Sequence, residues 1–593
     1  MYGSLGIDRS KRGTYSAVSK EVKFIVSNDN DDDSSKWISL STLNIIGTVS
    51  LALFIGLVTY FSISYSAYRR NDALVSSSSS TSHPNIIFIL TDDQGMGDMD
   101  IDGGDFENLM PTIRKFSESG LNFTQYYTSS LCTPARSSLM TGIYPINNGM
   151  QHGVVMSTYP WGLSVNEKLM SEYFNELNYK TYLIGKWHLG HYSKSHLPLA
   201  RGFDYFFGYY GGYQHPLTYF YEWPGCDNTT GCVPDMHDNR DVYPKDGQFN
   251  IYTLGDKAES IIYEQSGNDP FFLYLPVPLV HMPVHPDQDI MTEYSEQLSS
   301  INNIWRRRTG GMVIMLDKFV ERIKNALEST NLMDNSIIVF ASDNGAMPMG
   351  DETGAGSNYP LRGAKGSLYE GATRVPAWLY SPLLGHSLNN NGKRYDNIFH
   401  VTDWLPTLIG GALSQTDKLP KYLDGIDHWS YIKNNVDDTS PRNSFLYNLD
   451  TLTGIGAIRV GEWKLLVNES SDVGWFDGST FGVNYCGIDP TQTVQLFNLI
   501  DDEQERYDVA GDNPTIVTEL LETLNEYYVT ASDSLYCSDK DDSVAELWFK
   551  LNEIEPWITL DEEIDYSCPT VEGRSGWCAL VDSSTIKPPN GPP

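Results

Sequence analysis

The chain has 593 residues, of which 40% are hydrophobic and 12% aromatic, a balance that excludes a disordered protein and allows a sizeable core. Asp and Glu number 76 against 41 Lys and Arg, which gives a formal net charge of −35. Because so acidic a surface repels phosphate backbones, nucleic acid is excluded as an expected partner.

The N-terminal part of the chain predicts a membrane anchor. Residues 1–42 are polar and lack hydrophobic periodicity, so we expect a disordered cytosolic tail. Residues 43–65 are uncharged and mostly apolar, and a helix of that length crosses a bilayer. A Ser-rich linker follows at 66–82. A buried core helix or a cleaved signal sequence are the alternatives, but the flanking composition and the long preceding tail favour a transmembrane helix.

Cysteines and glycosylation patterns predict the side of the membrane, because the lysines and arginines flanking the span are balanced. All seven cysteines follow the span. The pattern Asn-x-Ser/Thr occurs at Asn122, Asn228 and Asn468. Cys226 and Cys232 enclose a loop that suits a disulfide, whereas three pairings are open to Cys486, Cys537, Cys568 and Cys578. We expect a single-pass type II protein with a lumenal or extracellular body, in an endomembrane compartment, a lysosome-like compartment or the cell surface.

Two apolar runs predict buried strands of the parallel-sheet kind, at 85–90 (NIIFIL) and 336–341 (SIIVFA). Asp92 and Asp93 follow the first strand, and Asp343 and Asn344 follow the second. Adjacent carboxylates at a strand end are also common turn formers. Oxygen ligands that converge from two strand ends favour Ca²⁺, and the shortage of nearby Cys and His argues against zinc.

Three further segments carry cationic or imidazole side chains. Lys186 and His188 end another strand, and alternate strand positions predict that both face one pocket. His281 follows the apolar run FFLYLPVPLV, and we interpret His285, four residues later, as structural. Lys365 stands in the Gly-rich segment LRGAKGSLYEG at 361–371. Each such residue alone is usually a solvated surface group.

Cys132 lies in SSLCTPARSSLMTG, where Pro134 and the following Ser and Thr residues predict a helix that begins near the cysteine. A helix N-terminus lowers the pKa of a thiol and favours anions. A buried free cysteine without a function is the alternative for an isolated Cys.

The string Cys132-Thr-Pro-Ala-Arg136 followed by SSLMTG resembles the signature of the type I sulfatases, whose cysteine is oxidised to formylglycine by a formylglycine-generating enzyme. GKWHLG at 185–190 and the segment at 361–371 resemble the same family, and the likeness extends over most of 83–530. Strings at 149–152, 166–169 and 201–209 are most similar to the arylsulfatase B, or N-acetylgalactosamine-4-sulfatase, group.

This resemblance implies an α/β fold of the alkaline-phosphatase kind, with a large, mostly parallel central sheet flanked by helices and a smaller C-terminal antiparallel sheet with a helix. We expect a catalytic domain at 83–440, the C-terminal subdomain at 441–531 and a Cys-containing extension at 532–593.

The resemblance also implies hydrolysis of sulfate esters of the arylsulfatase type, with sulfated sugars as the expected substrates. One Ca²⁺ is implied, with the ligands Asp92, Asp93, Cys132 as formylglycine, Asp343 and Asn344. The implied catalytic residues are Cys132, Arg136, Lys186, His188, His281 and Lys365, of which Lys186, His281 and Lys365 also contact the substrate. One hydroxyl of the hydrated formylglycine attacks, His281 protonates or hydrogen-bonds the leaving oxygen, and His188 takes a proton from the second hydroxyl.

Two other functions are compatible with parts of this pattern. One is a phosphatase or phosphodiesterase of the alkaline-phosphatase superfamily, which normally uses Ser or Thr beside two zinc ions. The other is a non-catalytic, membrane-held protein that binds sulfated glycans through an unconverted Cys132.

Overall fold

The computed structural model describes residues 83–221, 233–265, 269–434, 440–469, 474–476 and 493–537, with short pieces between 544 and 558. The predicted tail, transmembrane helix and linker lie outside the described residues, as do Asn228 and the cysteines Cys226, Cys232, Cys486, Cys568 and Cys578. Within the described ranges, none of the helices has the length and apolar character needed to cross a bilayer.

The described residues contain eighteen strands. In chain order they are β1 (Asn85–Thr91), β2 (Leu121–Phe123), β3 (Tyr126–Tyr127), β4 (Lys180–Lys186), β5 (Tyr205–Tyr209), β6 (Phe220–Tyr221), β7 (Val233–Pro234), β8 (His237–Asp238), β9 (Asp241–Val242), β10 (Phe271–Pro276), β11 (Ser336–Ser342), β12 (Ala377–Tyr380), β13 (Lys393–Tyr395), β14 (Phe399–His400), β15 (Ser444–Leu449), β16 (Gly456–Val460), β17 (Trp463–Val467) and β18 (Val494–Asn498). Both apolar runs that predicted strands are therefore strands, β1 and β11.

Ten strands form the main sheet, in the order β13-β2-β12-β11-β1-β10-β4-β5-β8-β9. The five central strands, β11 to β5 in this order, are parallel, whereas β12 and β8 pair antiparallel with the strands beside them. The sheet is thus mixed rather than mostly parallel. The difference lies at its edges, where short strands such as β8 and β9 pair as a hairpin.

The α-helices of the described part are α1 (Pro111–Ser119), α2 (Cys132–Thr141), α3 (Pro145–Asn148), α4 (Met170–Glu176), α5 (Asn250–Glu264), α6 (Gln288–Glu293), α7 (Ser295–Leu298), α8 (Ile304–Ser329), α9 (Glu370–Thr373), α10 (Trp429–Asn434) and α11 (Pro514–Thr530).

Helices cover both faces of the main sheet, because alternate residues of a strand point to opposite sides. In β1, Ile86, Phe88 and Leu90 pack in one apolar cluster with residues of α2 and α4. Ile87 and Ile89 pack in a second cluster with residues of α1, α5 and α8. Burial on both faces explains why β1 is apolar throughout and why periodicity alone suggested a parallel strand.

A second sheet lies towards the C-terminus. Strands β15 to β18 pair in sequence order, all antiparallel, and the amphipathic helix α11 packs on them through buried residues such as Val517 and Leu524. The small antiparallel sheet with a helix that the resemblance implied is present. Its apolar cluster includes Leu368 and Tyr369, so it also contacts the segment that carries Lys365.

Candidate active site

The site residues come from loops at one edge of the main sheet. Neighbouring parallel strands β11, β1, β10 and β4 end at the same edge, so the residues that follow them converge. Backbone hydrogen bonds join these loops: the Asp343 N–H donates to the Thr91 carbonyl at 3.0 Å, and the Asp92 N–H donates to the Leu279 carbonyl at 2.9 Å. The structure thus brings together the loops that follow these strand ends.

Asp92 is the central carboxylate of the site and is completely buried. Its oxygens accept hydrogen bonds from the Lys186 ammonium at 3.0 and 2.8 Å, and the Cys132 thiol lies 3.7 Å from Oδ1. Burial acts to raise the pKa of Asp92, but the neighbouring cations, Lys186 first, hold that pKa well below its ordinary value. The carboxylate is therefore ionised in the interior.

Asp93 adopts a left-handed backbone conformation, with φ of 60°, which turns its side chain towards Lys365. The Lys365 ammonium lies 2.7 Å from Oδ1 and 2.9 Å from Oδ2. The side-chain amide of Asn344 donates to Oδ1 at 2.7 Å, and His281 Nε2 lies 3.7 Å from Oδ2. Three predicted site residues thus meet at the carboxylate of a fourth.

Asp343 pairs with the buried guanidinium of Arg136. Nε and Nη2 of Arg136 donate to Asp343 Oδ2 at 3.1 and 2.7 Å, and Nη2 lies 3.5 Å from Asp92. Burial, and then the Asp92 charge, raise the pKa of Asp343 to about 6. Arg136 therefore joins the two strand ends by neutralising carboxylates from both.

Cys132 is a free thiol at the first position of α2, buried to 1% exposure. Burial raises its pKa to about 12, although Lys186 and Lys365 act to lower it. The expectation of a lowered pKa from the helix N-terminus is wrong, because desolvation of the thiolate outweighs the helix dipole and the cations. An unmodified Cys132 is therefore a poor nucleophile here.

His188 lies beyond the end of β4, which stops at Lys186. Its φ of 58° is left-handed, so strand alternation does not align it with Lys186 as predicted; a turn places it in the site instead. Its Nε2 lies 3.1 Å from the Val155 carbonyl. A carbonyl only accepts, so we assign the proton to Nε2, which leaves a lone pair on Nδ1. Nδ1 is buried and has no hydrogen-bond partner among the described residues.

The two site histidines differ in which nitrogen is engaged. His281 Nδ1 lies 2.9 Å from the Met282 carbonyl, so its Nε2 faces Asp93. Burial, together with Lys365, lowers the pKa of His281. Burial also lowers the pKa of His188 well below its ordinary value. Both imidazoles are therefore neutral at rest.

The residues present fit a hard divalent cation. Ligand atoms of Asp92, Asp93, Cys132 and His281 lie within 4.8 Å of one another. Asn344 Oδ1 is buried and accepts no hydrogen bond from the described residues, as expected of an amide oxygen reserved for a cation. The donor set is rich in oxygen, which suits Ca²⁺. His281 joins this group, whereas it was predicted as a catalytic and substrate-contacting residue and not as a metal ligand.

The Lys365 loop is held from both sides. The Lys365 N–H donates to the Ala346 carbonyl, and the Gly366 N–H donates to the Ser130 carbonyl, two residues before Cys132. From the C-terminal subdomain, Glu469 accepts the Leu368 N–H at 2.8 Å. The small sheet thus helps to fix the position of a site lysine.

Sequence reasoning missed the residues that support the histidines. The Asp235 carboxylate, fully buried, accepts the backbone N–H groups of Tyr210 and Gly211 at 2.9 and 2.8 Å. Next in the chain, a Cβ added to Gly212 would lie 2.7 Å from His188 Nε2, and the Tyr213 ring stacks on His281 at 6.3 Å. No motif surrounds Asp235, so only its position in the fold shows that it holds the loop beside His188 and His281.

Three of the other predicted modification positions, Asn122, Asn468 and Cys537, are among the described residues. Asn122 is exposed on β2. The Asn468 side-chain amide donates to the Gly454 carbonyl at 2.9 Å. Cys537 is disulfide-bonded.

Comparisons with known proteins agree on one family. The family described as Sulfatase matches residues 84–412. Arylsulfatase J of Mus musculus is 34% identical over 479 residues, covering 76% of this chain and 77% of its own. N-acetylgalactosamine-6-sulfatase of Homo sapiens is 29% identical over 452 residues, covering 72% and 81%. Among solved structures, Ps i-CgsB in complex with k-i-k-neocarrahexaose has a TM-score of 0.64 and 28% identity, covering 79% of this chain and 97% of that one.

Proposed function

The chain belongs to the sulfatase family and is a sulfuric ester hydrolase, and we propose that it cleaves sulfate esters of carbohydrates at the site around Cys132. The observation that carries the proposal is the position of Cys132, at the start of a buried helix and 3.7 Å from an ionised carboxylate that Lys186 neutralises. The names of the relatives favour sugar substrates, since one acts on N-acetylgalactosamine and one is bound to a carrageenan oligosaccharide. The narrower likeness to the arylsulfatase B group remains a prediction.

We propose that residue 132 acts as formylglycine, made from Cys132 by a formylglycine-generating enzyme. The thiol as it stands, with its pKa raised to about 12, is unsuited to attack at neutral pH. Asp92, Asp93, Asp343 and Asn344 are the residues that would hold Ca²⁺ together with residue 132. When bound, Ca²⁺ supplies Lewis-acid polarisation at the sulfate and at the nucleophile.

The chain's own cations bind and neutralise the sulfate group. Lys186 is fully buried, Lys365 is 11% exposed, and both are paired with site carboxylates, so their ammonium groups are held in place before substrate arrives. Negative charge develops on the leaving oxygen in the transition state. Fixed cations in a site shielded from water therefore lower the activation free energy of the cleavage strongly. Arg136 is engaged with Asp343, so its proposed function is to hold the carboxylates in place.

The two histidines divide the proton transfers. His281 directs Nε2 towards the carboxylate cluster, so after protonation this nitrogen donates to the leaving oxygen. His188 keeps a lone pair on buried Nδ1 and accepts a proton from the group at residue 132. The neutral resting state suits His188, which must accept a proton, whereas His281 must take up a proton before it acts as the acid.

We propose further that residues 43–65 anchor the protein in a membrane, with the enzyme body lumenal or extracellular and glycosylated. An N-terminal tag should be removed when intact vesicles are treated with protease, while the body stays protected. Protection of the tag and loss of the body would indicate the opposite orientation.

Turnover of a small aryl sulfate tests the proposed activity. The full chain, coexpressed with a formylglycine-generating enzyme and supplied with Ca²⁺, should hydrolyse 4-methylumbelliferyl sulfate much faster than the corresponding phosphate. Cys132→Ala should abolish this turnover at an unchanged thermal midpoint. A preference for the phosphate would instead favour a phosphatase.

A further inference from the structure

A cavity of about 520 Å³ lies beside the active site. Its walls include Phe249, His285, Arg307 and Arg308. Phe249 and His285 also line a smaller cavity that His281 borders. Because His285 follows His281 by four residues, their Cα atoms are at most about 14 Å apart. The larger space, here called the arginine cavity, is therefore within reach of a substrate whose sulfate lies at the active site.

The charge of the arginine cavity contrasts with that of the whole chain, which carries a net charge of −35. Neither Arg307 nor Arg308 has a carboxylate within 4 Å among the described residues, whereas the preceding Arg306 is buried and paired with Asp98 and Asp105. The Arg307 guanidinium donates twice to the Ile301 carbonyl, at 3.0 and 2.7 Å. The two cations thus keep their charge available to a ligand.

Other features of the arginine cavity favour an anion as well. Arg308 stacks on the Trp305 ring at 4.6 Å, which orders the guanidinium. Both arginines lie in the first turns of the 26-residue helix α8, where the helix dipole favours negative charge. One acidic residue, Asp287, also lines the cavity, but its oxygens accept from the Asp289 N–H and the Tyr252 hydroxyl.

We propose that the arginine cavity is a second anion subsite, which binds a further sulfate on the sugar chain whose first sulfate is cleaved. This inference rests on the proposed function, and it specifies the substrate class as multiply sulfated oligosaccharides. Guanidinium groups bind sulfate through paired hydrogen bonds, so each arginine contact contributes about tenfold in affinity.

The test compares matched ligands that carry one and two sulfates per disaccharide. Chondroitin 4-sulfate and 4,6-disulfate disaccharides, and kappa- and iota-carrageenan tetrasaccharides, are used as competitors of 4-methylumbelliferyl sulfate hydrolysis by the Ca²⁺-supplied full chain. Within at least one pair, the more sulfated ligand should inhibit about a hundredfold more tightly, because each of the two arginines contributes about tenfold. Equal inhibition within both pairs, or no inhibition by any of the four, overturns the proposal.

Substitutions in the arginine cavity test whether this cavity causes the preference for the more sulfated ligand. Arg308→Gln should reduce the preference by about tenfold, and Arg307→Gln with Arg308→Gln should abolish it, at an unchanged KM for the aryl sulfate. Lys324→Gln, further along the same helix, is the matched control and should change neither value. Arg307→Gln removes the hydrogen bonds to the Ile301 carbonyl and can disturb that turn. Arg308→Gln does not remove them, so the single variant tests the proposal in either case.

A preference that survives in the double variant overturns the proposal. Loss of aryl sulfate turnover in the wild type would instead contradict the proposed function. Equilibrium binding of the same four ligands to Cys132→Ala then tests the subsite independently of turnover.

Discussion

The Lys186 ammonium donates to both oxygens of Asp92, at 3.0 and 2.8 Å, and both side chains are fully buried. The family resemblance assigns Lys186 to substrate contact and Asp92 to the metal. Lys186 therefore also neutralises the carboxylate of a predicted metal ligand. The cations and anions of the site are interdependent, so removal of either kind should affect stability as well as catalysis.

Lys186→Met should lower both activity and stability. Loss of one fixed cation should reduce kcat/KM by about a hundredfold or more, and the loss of the ammonium that contacts both oxygens of Asp92 should cost about 3 kcal/mol in the free energy of unfolding. Aryl sulfate kinetics and thermal melts measure the two effects. Lys257→Met, which removes a partly exposed lysine paired with Asp238 at 3.0 Å, is the control. Activity within threefold of wild type would contradict the assignment of Lys186.

Removal of divalent ions should separate catalysis from folding. In EDTA the wild type should lose turnover but little thermal stability, because Lys186 and Lys365 still neutralise Asp92 and Asp93. In Lys365→Met, EDTA should lower the thermal midpoint more than in the wild type, since Asp93 then lacks its ammonium partner. Scanning fluorimetry with EDTA or millimolar CaCl₂ measures this difference. Full turnover after exhaustive chelation would disprove the metal requirement.

Asp235→Asn should impair catalysis by displacing the loop that contacts His188. An amide presents an N–H where a carboxylate oxygen now accepts, so one of the Tyr210 and Gly211 N–H groups loses its acceptor and the loop against His188 moves. Displacement of a catalytic group costs about ten- to a hundredfold in kcat, and KM should change little. Asp238→Asn, three residues later in β8 and partly exposed, is the control. A change confined to KM would argue for substrate contact instead.

Asp317→Asn should change how stability depends on pH. The Asp317 carboxylate accepts the Ile113 N–H at 2.7 Å near the start of α1, and burial raises its pKa from 3.8 to about 6. A raised folded-state pKa gives stability that is full below pH 3.8 and is lost as the pH rises through about 6. Between pH 4.5 and 7.5 the variant should therefore gain about 2 kcal/mol relative to the wild type. A constant difference in thermal midpoint over this range would refute the raised pKa.

Local sequence patterns predicted the parts of the fold that repeat or are strongly apolar. The strands that end at Thr91 and Ser342, and the helix that begins at Cys132, follow from apolar runs and from turn and helix-start residues. The strings that resemble the sulfatases then located every candidate residue that the structure brings together at the sheet edge.

Features that depend on desolvation or on distant chain segments were not predictable. The pKa of Cys132 depends on burial by the whole domain, and the left-handed turn at His188 follows no strand pattern. Asp235 supports a loop some distance away in sequence, and the cavity that Arg308 lines is formed by separate chain segments, so only the folded chain relates them to the site. The mixed edges of the sheet likewise depend on short strands with weak periodicity.

Mass spectrometry of the tryptic peptide 116–136, after removal of N-glycans, tests the central claim most directly. In active protein residue 132 should have lost H₂S and gained O relative to cysteine, and the aldehyde should react with a hydrazide. An intact, alkylatable thiol at this position in protein that hydrolyses aryl sulfates would contradict the formylglycine mechanism. An intact thiol in inactive protein from the native compartment would favour the binder of sulfated glycans.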